Sequence, residues 1–288
     1  MTEKYHVPVM LSEAVEYLVT VLDGEYVDCT LGDGGHTQAI LEKLNDEGKV
    51  VAYDRDPAAI STAEVRLEKW RGRIQFVNAP FSKMKETVQS CTVSGVLFDL
   101  GVSTKQLIDY RRGFSFMGTG PLDMRMGIGS VVTAGDIVNS YQYDELVKIF
   151  RDYGEERYSN KYAHKIVEVR KNKRIETTSE LVSILAGGYQ GKHPATRVFQ
   201  ALRIAVNNEL EELNAGLITA VDSLKQGGRI VVISYHSLED RIVKNMFKSY
   251  KNDGVLSVLT KKPLIPSEDE VRINRSSRSA KMRVAEKR

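Results

Sequence analysis

Short runs of apolar and β-branched residues alternate with segments of helical spacing through the first hundred positions of the chain. "EYVDCT" (25–30), "GKVVAYD" (48–54), "RIQFVN" (73–78) and "SGVLFDL" (94–100) predict strands buried on both faces. Between them, "HTQAILEKL" (36–44) and "AAISTAEVRLEKW" (58–70) repeat apolar residues at helical intervals. Strand and helix in this order imply parallel strands joined by right-handed crossovers, a doubly wound α/β sheet.

The rhythm then breaks. From about Gln106 to Asn208 the pattern is helical: "DELVKIFRDYGEERYSNKYAHKIVEVRK" (144–171), "TSELVSILAGG" (178–188) and the start of "ATRVFQALRIAVNNELEELNAGLITAVDSL" (195–224) contain no strand signal. An inserted helical domain, 107–208, explains this, within a sheet domain made of 1–106 and 209–288. The sheet resumes at "GGRIVVISY" (227–235), and "VLSVLTKKPL" (255–264) with "SAKMRVAEK" (279–287) predicts an antiparallel pair closing its edge.

The turn after the first strand, "VDCTLGDGGHT" (27–37), carries Gly32, Gly34 and Gly35 and then His36. Ligands of open α/β sheets bind at such strand-to-helix turns, where the backbone comes close and the helix N-terminus favours polar groups. The third glycine of a dinucleotide fingerprint is missing, and no Gly-Lys-Ser/Thr of a phosphate loop follows. Asp54, ending the second strand 22 residues after Gly32, suits a ribose diol, while Asp56 before Pro57 suits a helix cap. The ligand this predicts is a nucleoside. Phe81 in "NAPFS" could cover an adenine face or belong to the core. Asp99 ends the apolar fourth strand, where a carboxylate needs a polar partner or a ligand. "SYHSLED" brings His236, Ser237, Glu239 and Asp240 to the neighbouring strand end, without the Gly-x-Ser-x-Gly turn of a hydrolase.

Composition adds few constraints beyond these. A chain of 288 residues, 42% hydrophobic and 27% charged, buries a sizeable core. No apolar run reaches membrane-spanning length and the start lacks a secretory core, so a cytoplasmic location follows. Cys29 and Cys91, without ligand spacing, read as reduced core thiols, and no metal site is expected. The net charge of +3 hides an asymmetry: residues 271–288 hold seven basic side chains against one acid, leaving the rest of the chain net negative. Such a tail would follow RNA phosphates. A second basic run, Arg170, Lys171, Lys173 and Arg174, reads equally well as a solvated face.

Nine segments carry a resemblance: "HVPVM", "DCTLGDGGHT", "DLGVSTKQL", "RRGFSF", "PLDMRM", "YGEERYS", "HPATRVFQALRIAVNNELEEL", "ISYHSLEDRIVK" and "RSSRSAKMRVAEK". Nearly end to end, the chain resembles the MraW family of small-subunit ribosomal RNA methyltransferases. The resemblance implies a class I methyltransferase fold, a Rossmann-like sheet with an inserted all-helical domain. It also implies S-adenosyl-L-methionine as cofactor, and methylation of the N4 amine of a cytidine in the decoding (P-site) region of 16S ribosomal RNA. Carried over, the cofactor contacts would be Gly34, Gly35, His36, Asp54, Phe81, Asp99 and Gln106, with Gly32 opening the same loop. Three positions depart from the family pattern: Gly127 where aspartate is usual, which puts a substrate role there in doubt, Ile108, and Tyr235 in place of phenylalanine.

Amine methylation asks for groups that engage the amine hydrogens while the base is out of its stack. "DLGV" replaces the acid-Pro-Pro-aromatic motif common in amino-group methyltransferases, so Asp99 would serve the cofactor more than the base. Asp123, His236 and Asp240 then become candidates to orient the amine. No cysteine lies in "DLGV" or "SYHSLED" to attack a pyrimidine carbon: Cys29 precedes the cofactor loop and Cys91 lies before the fourth strand, away from its carboxyl end. Arg275, Arg278, Arg283 and Arg197 are the RNA-binding candidates, the small ribosomal subunit is the partner, and a homodimer stays open. Two other readings compete: an NAD-dependent dehydrogenase, and a non-catalytic RNA-binding assembly factor.

Overall fold

The computed structural model describes residues 7–127, 130–186 and 194–288. His6, His193 and the Gly187–Gly188 end of the second helical stretch lie outside them. The chain divides into two compact units, residues 1–101 with 210–288, and residues 102–209.

In the first unit α1 (Leu11–Leu18) precedes a strand–helix series: β1 (Glu25–Asp28), α2 (Gly35–Lys43), β2 (Lys49–Tyr53), α3 (Pro57–Arg66), β3 (Ile74–Val77) and β4 (Val93–Asp99). The second unit holds α4 (Thr104–Ile108), α5 (Ala134–Ser140), α6 (Tyr143–Asp152), α7 (Ser159–Arg170), α8 (Thr178–Leu185) and α9 (Pro194–Asn207). Then follow α10 (Glu209–Ser223), β5 (Leu224–Ser234), α11 (Ser237–Asn252), β6 (Leu256–Val258), α12 (Glu268–Ile273) and β7 (Lys281–Lys287).

The seven strands form one sheet in the order β3-β2-β1-β4-β5-β7-β6. The first five pair in parallel, and β7 runs antiparallel between β5 and β6. The expected edge pair is therefore present, with β7 inserted beside β5. Alternation along the strands divides the core in two. Leu97, Val231 and Ile233 face the layer of α1, α2 and α3, while Val96, Phe98, Ile230 and Val232 face Leu213 and Leu217 of α10 and Val243 and Phe247 of α11. Covering both faces removes solvent from the strands, which is why they read as unbroken apolar runs. At the β1/β4 boundary the chain reverses its direction of winding, and the crevice at the carboxyl ends of these strands is where such sheets bind ligands.

The second unit packs its own core around Leu146, Phe150, Ile166, Leu181 and Leu202. Among its described residues the only β pairing is the isolated bridge Pro121–Thr177. Two long helical readings are each broken by one left-handed residue: Glu155 (φ 47°) after Gly154 separates α6 from α7, and Asn208 (φ 53°) separates α9 from α10. Cys91 corrects the expectation of two core thiols: it is exposed in the turn before β4, while Cys29 is buried, and both are free. Among the described residues no helix is long and apolar enough to cross a membrane.

Candidate functional site

The loop from β1 to α2 is held closed by a carboxylate the sequence reading passed over. Asp28 is buried; its Oδ1 accepts the Thr30 amide at 3.0 Å and its Oδ2 the Thr37 hydroxyl at 2.7 Å. One side chain thus ties the start of the loop to the first turn of α2. Gly34 begins that helix at φ 79°, and a Cβ on Gly35 would lie 2.3 Å from Pro8 Cγ. The loop can follow this path only without side chains there. The amides of the first turn have no helical partners and present the positive end of the helix dipole.

Asp54 stands across the loop. Its Oδ2 accepts the Gly32 amide at 2.9 Å and its Oδ1 the Asp56 amide at 2.8 Å. Burial raises its pKa to about 6, against the pull of those two amides. Each oxygen keeps a lone pair for a further donor. Asp56, as anticipated, caps α3 by accepting the Ala58 amide, with Pro57 following. Phe81, partly buried, meets Phe98 edge to face at 5.2 Å. A Cβ on Gly216 would come 2.4 Å from Phe81 Cδ2, so the ring rests directly on α10.

Asp99 closes the crevice at the end of β4. Its amide donates to Thr30 Oγ1 at 2.6 Å, its Oδ1 accepts the Tyr235 hydroxyl at 2.7 Å, and its Oδ2 lies 3.6 Å from His36 Nδ1. About a fifth of the side chain reaches solvent (21%), yet desolvation lifts its pKa to about 7, with Tyr235 pulling the other way. His36 is buried and its Nε2 donates to the Val9 carbonyl at 3.2 Å, the tautomer this contact requires. Burial lowers its pKa to about 4, so the ring is neutral at pH 7. The unit thus brings Gly32, Gly34, Gly35, His36, Asp54 and Asp99 to neighbouring strand ends. Gln106 belongs to the other unit, where it completes the capping box of α4 with Ser103.

The amine-orienting candidates separate. His236 caps α11: its Nδ1 accepts the Glu239 amide at 3.4 Å, while Glu239 Oε2 accepts the Tyr235 and His236 amides. Its Nε2 is buried without a hydrogen-bond partner among the described residues, 3.2 Å from Glu239 Oε1 but out of line. Asp240 is corrected. Arg283 reaches it at 2.6 and 3.3 Å and Lys281 at 3.7 Å, holding its carboxyl low despite the opposing effect of burial. It ties β7 to α11 through these two cations. Asp123, in the other unit, is held low by a two-point contact to Arg125 at 2.9 and 2.7 Å.

The basic residues separate as well. Arg283, expected on RNA, is buried (8% exposed) against Asp240, so that expectation is corrected. Arg275 and Arg278 are exposed, with no acidic partner among the described residues. They precede β7, whose first residue Lys281 pairs with Ser234 at the carboxyl end of β5, the end of the sheet that carries Asp99. Arg197 is 42% exposed and 4.0 Å from Glu156. In the shorter basic run, Arg170 donates to the carbonyls of Val138 and Tyr141, and Lys171, Lys173 and Arg174 pair with Glu168, Glu180 and Asp136. The roles of Asp28, Thr37 and Tyr235 were missed from sequence; Asp28, an acid in a buried strand, left a signal, and Tyr235 stood out only as a departure from the family's phenylalanine.

Comparison with known proteins adds an independent line. The family model described as the MraW methylase family matches residues 3–288. A protein of Clostridioides difficile (strain 630) named ribosomal RNA small subunit methyltransferase H is 45% identical over 99% of this chain and 99% of its own. A protein of the same name from Caldicellulosiruptor bescii is also 45% identical, over 98% and 99%. Among solved structures, one from Clostridium thermocellum, named as a candidate rRNA-methylase, superposes with a TM-score of 0.50 at 14% identity over 98% of each chain. That likeness shows the fold alone.

Proposed function

Since the chain belongs to the MraW methylase family, we propose that it transfers a methyl group from S-adenosylmethionine to the N4 amine of a cytidine in the decoding region of small-subunit ribosomal RNA. The observation that carries this reading is the charge of the crevice. Three acids, Asp28, Asp54 and Asp99, surround the glycine loop; residues 27–37 contain no lysine or arginine, and the guanidinium of Arg66 is engaged with the Asp33 carbonyl at 3.2 Å and with Gln38. A dinucleotide would bring a pyrophosphate into that field, which disfavours the dehydrogenase reading. A sulfonium nucleoside fits: Asp54 for the ribose diol, the first turn of α2 for the carboxylate, Asp99 for the cationic amino-acid end and Phe81 for the adenine face.

The bound cofactor supplies an electrophilic methyl group; the chain must hold the amine in line with it. Cytosine N4 becomes strongly acidic once its new bond has formed, so water can take the proton and no strong base is required. His236 stands at the head of α11 beside the proposed base site: its Nδ1 caps the helix and its buried Nε2 faces Glu239, so it would position the wall of the site. Asp99 serves the donor, as "DLGV" suggests. Arg275, Arg278 and Arg197 supply phosphate contacts, and the helical unit a surface for reading RNA shape.

Calorimetric titration with S-adenosylmethionine and with NAD tests the cofactor assignment: the first binds and the second does not. Transfer of label from methyl-tritiated cofactor to small subunits excludes a purely structural assembly role. Binding of NAD alone would overturn the proposal.

A further inference from the structure

Tyr235 donates its hydroxyl to Asp99 Oδ1 at 2.7 Å, across 136 residues of sequence. The ring also packs 3.3 Å from the Cβ that Gly101 lacks, just beyond the end of β4. We propose that Tyr235 is a positioning residue for the methyl-donor site: its hydroxyl holds Asp99 as a carboxylate aimed at the cationic end of the donor.

The surroundings of Asp99 otherwise oppose ionisation. On α2, His36 places Nδ1 3.6 Å from Oδ2 while its Nε2 donates to the Val9 carbonyl, so the neutral ring offers Asp99 no proton. On β1, Asp28 adds negative charge, and on α11 Glu239 adds more. The loop contributes Thr30, whose hydroxyl is engaged with the Asp99 amide. Among the described residues no lysine or arginine pairs with Asp99, and the Tyr235 hydroxyl is the side-chain donor that favours the charged form. Burial first, and the Asp99 charge second, push the phenol well above its ordinary range, so Tyr235 remains the donor at every working pH. A phenylalanine would fill the same space and lose only this hydrogen bond. The backbone contact of Tyr235, its amide to Glu239 Oε2, is independent of the hydroxyl.

The inference rests on Asp99 facing the donor's cationic end, and the experiment separates the two claims. Carboxyl carbons of the cofactor-free protein, labelled with 13C-aspartate, are titrated by NMR in the wild type and in Tyr235→Phe. Asp99→Asn identifies the Asp99 signal by removing it, and affinity for S-adenosylmethionine is measured calorimetrically from pH 6 to 9. The Asp99 midpoint moves up by about one pH unit in Tyr235→Phe, the order expected for losing one hydrogen bond to a charged group. Donor affinity at pH 7 then falls about fivefold, as the charged fraction of Asp99 drops from about one half to about one tenth, and recovers toward the wild-type value by pH 9. An unmoved or lowered midpoint overturns the role of Tyr235. A raised midpoint with affinity independent of pH in both proteins supports the hold of Tyr235 on Asp99 and overturns the placement of Asp99 at the donor.

Discussion

The amide of Gly32 donates to Asp54 Oδ2 across 2.9 Å, joining the end of β2 to the glycine loop that follows β1. This contact fixes the carboxylate beside the loop without exhausting its capacity to accept, which is what binding a ribose diol demands.

Replacing Asp54 with asparagine or alanine is therefore expected to weaken S-adenosylmethionine binding by about 10- to 100-fold, the equivalent of one charged hydrogen bond lost. The cofactor-free fold should persist, because burial already raises this carboxyl and makes it a poor contributor to stability. Calorimetry with circular dichroism checks both halves. A folded variant with unchanged affinity would show that Asp54 does not hold the ribose.

The raised carboxyls also set a pH dependence of stability. Asp99, at about 7, and Asp54, at about 6, keep protons in the folded state that they release near pH 4 when unfolded. On their account, stability falls as pH rises from about 4 to 7. Asp99→Asn removes one of these groups, so it should stabilise the cofactor-free protein at pH 8 by on the order of 2 kcal/mol and much less at pH 5. Urea unfolding at the two pH values measures the difference. Equal effects at both would mean that Asp99 is not the source.

Two arginines of the basic tail should behave oppositely to a third. Arg283→Ala leaves Asp240 with Lys281 alone and should cost about 3 kcal/mol of stability. Arg275→Ala and Arg278→Ala should each change stability by under about 0.5 kcal/mol. The same two should reduce the salt slope of RNA binding by roughly 0.7–0.9 per lost phosphate contact. Loss of RNA affinity in a stable Arg283→Ala protein, with the other two silent, would reverse this assignment.

These outcomes bear on what could be read from residues alone. The parallel strands were legible because burial on both faces makes them nearly uniform apolar runs, and strand ends named Asp54 and Asp99 because an acid there interrupts such a run. Tyr235 was not legible as a partner of Asp99: a contact spanning 136 residues leaves no local pattern. Charge counting overstated the tail for a related reason. It could not distinguish Arg283, paired with Asp240 inside the sheet edge, from Arg275 and Arg278 on the surface. Helical periodicity likewise ran through Asn208, because asparagine enters the left-handed region readily without disturbing an amphipathic pattern.

That joint gives a further test. Asn208 sits at φ 53°, flanked by the two-point Arg203–Glu209 pair at 2.8 and 2.9 Å. Asn208→Gly should leave the melting temperature nearly unchanged. Asn208→Val should destabilise by about 1–2 kcal/mol, since a β-branched residue resists that backbone. Equal stability of the two variants would mean that α9 and α10 join without a left-handed residue.

Product identity tests the central claim most directly. Small ribosomal subunits lacking the modification are incubated with the protein and S-adenosylmethionine, and their nucleosides are separated and weighed by mass spectrometry. The account predicts N4-methylcytidine, formed more readily on assembled or nearly assembled subunits than on naked RNA. Appearance of 5-methylcytidine, or of a methylated purine alone, would contradict it.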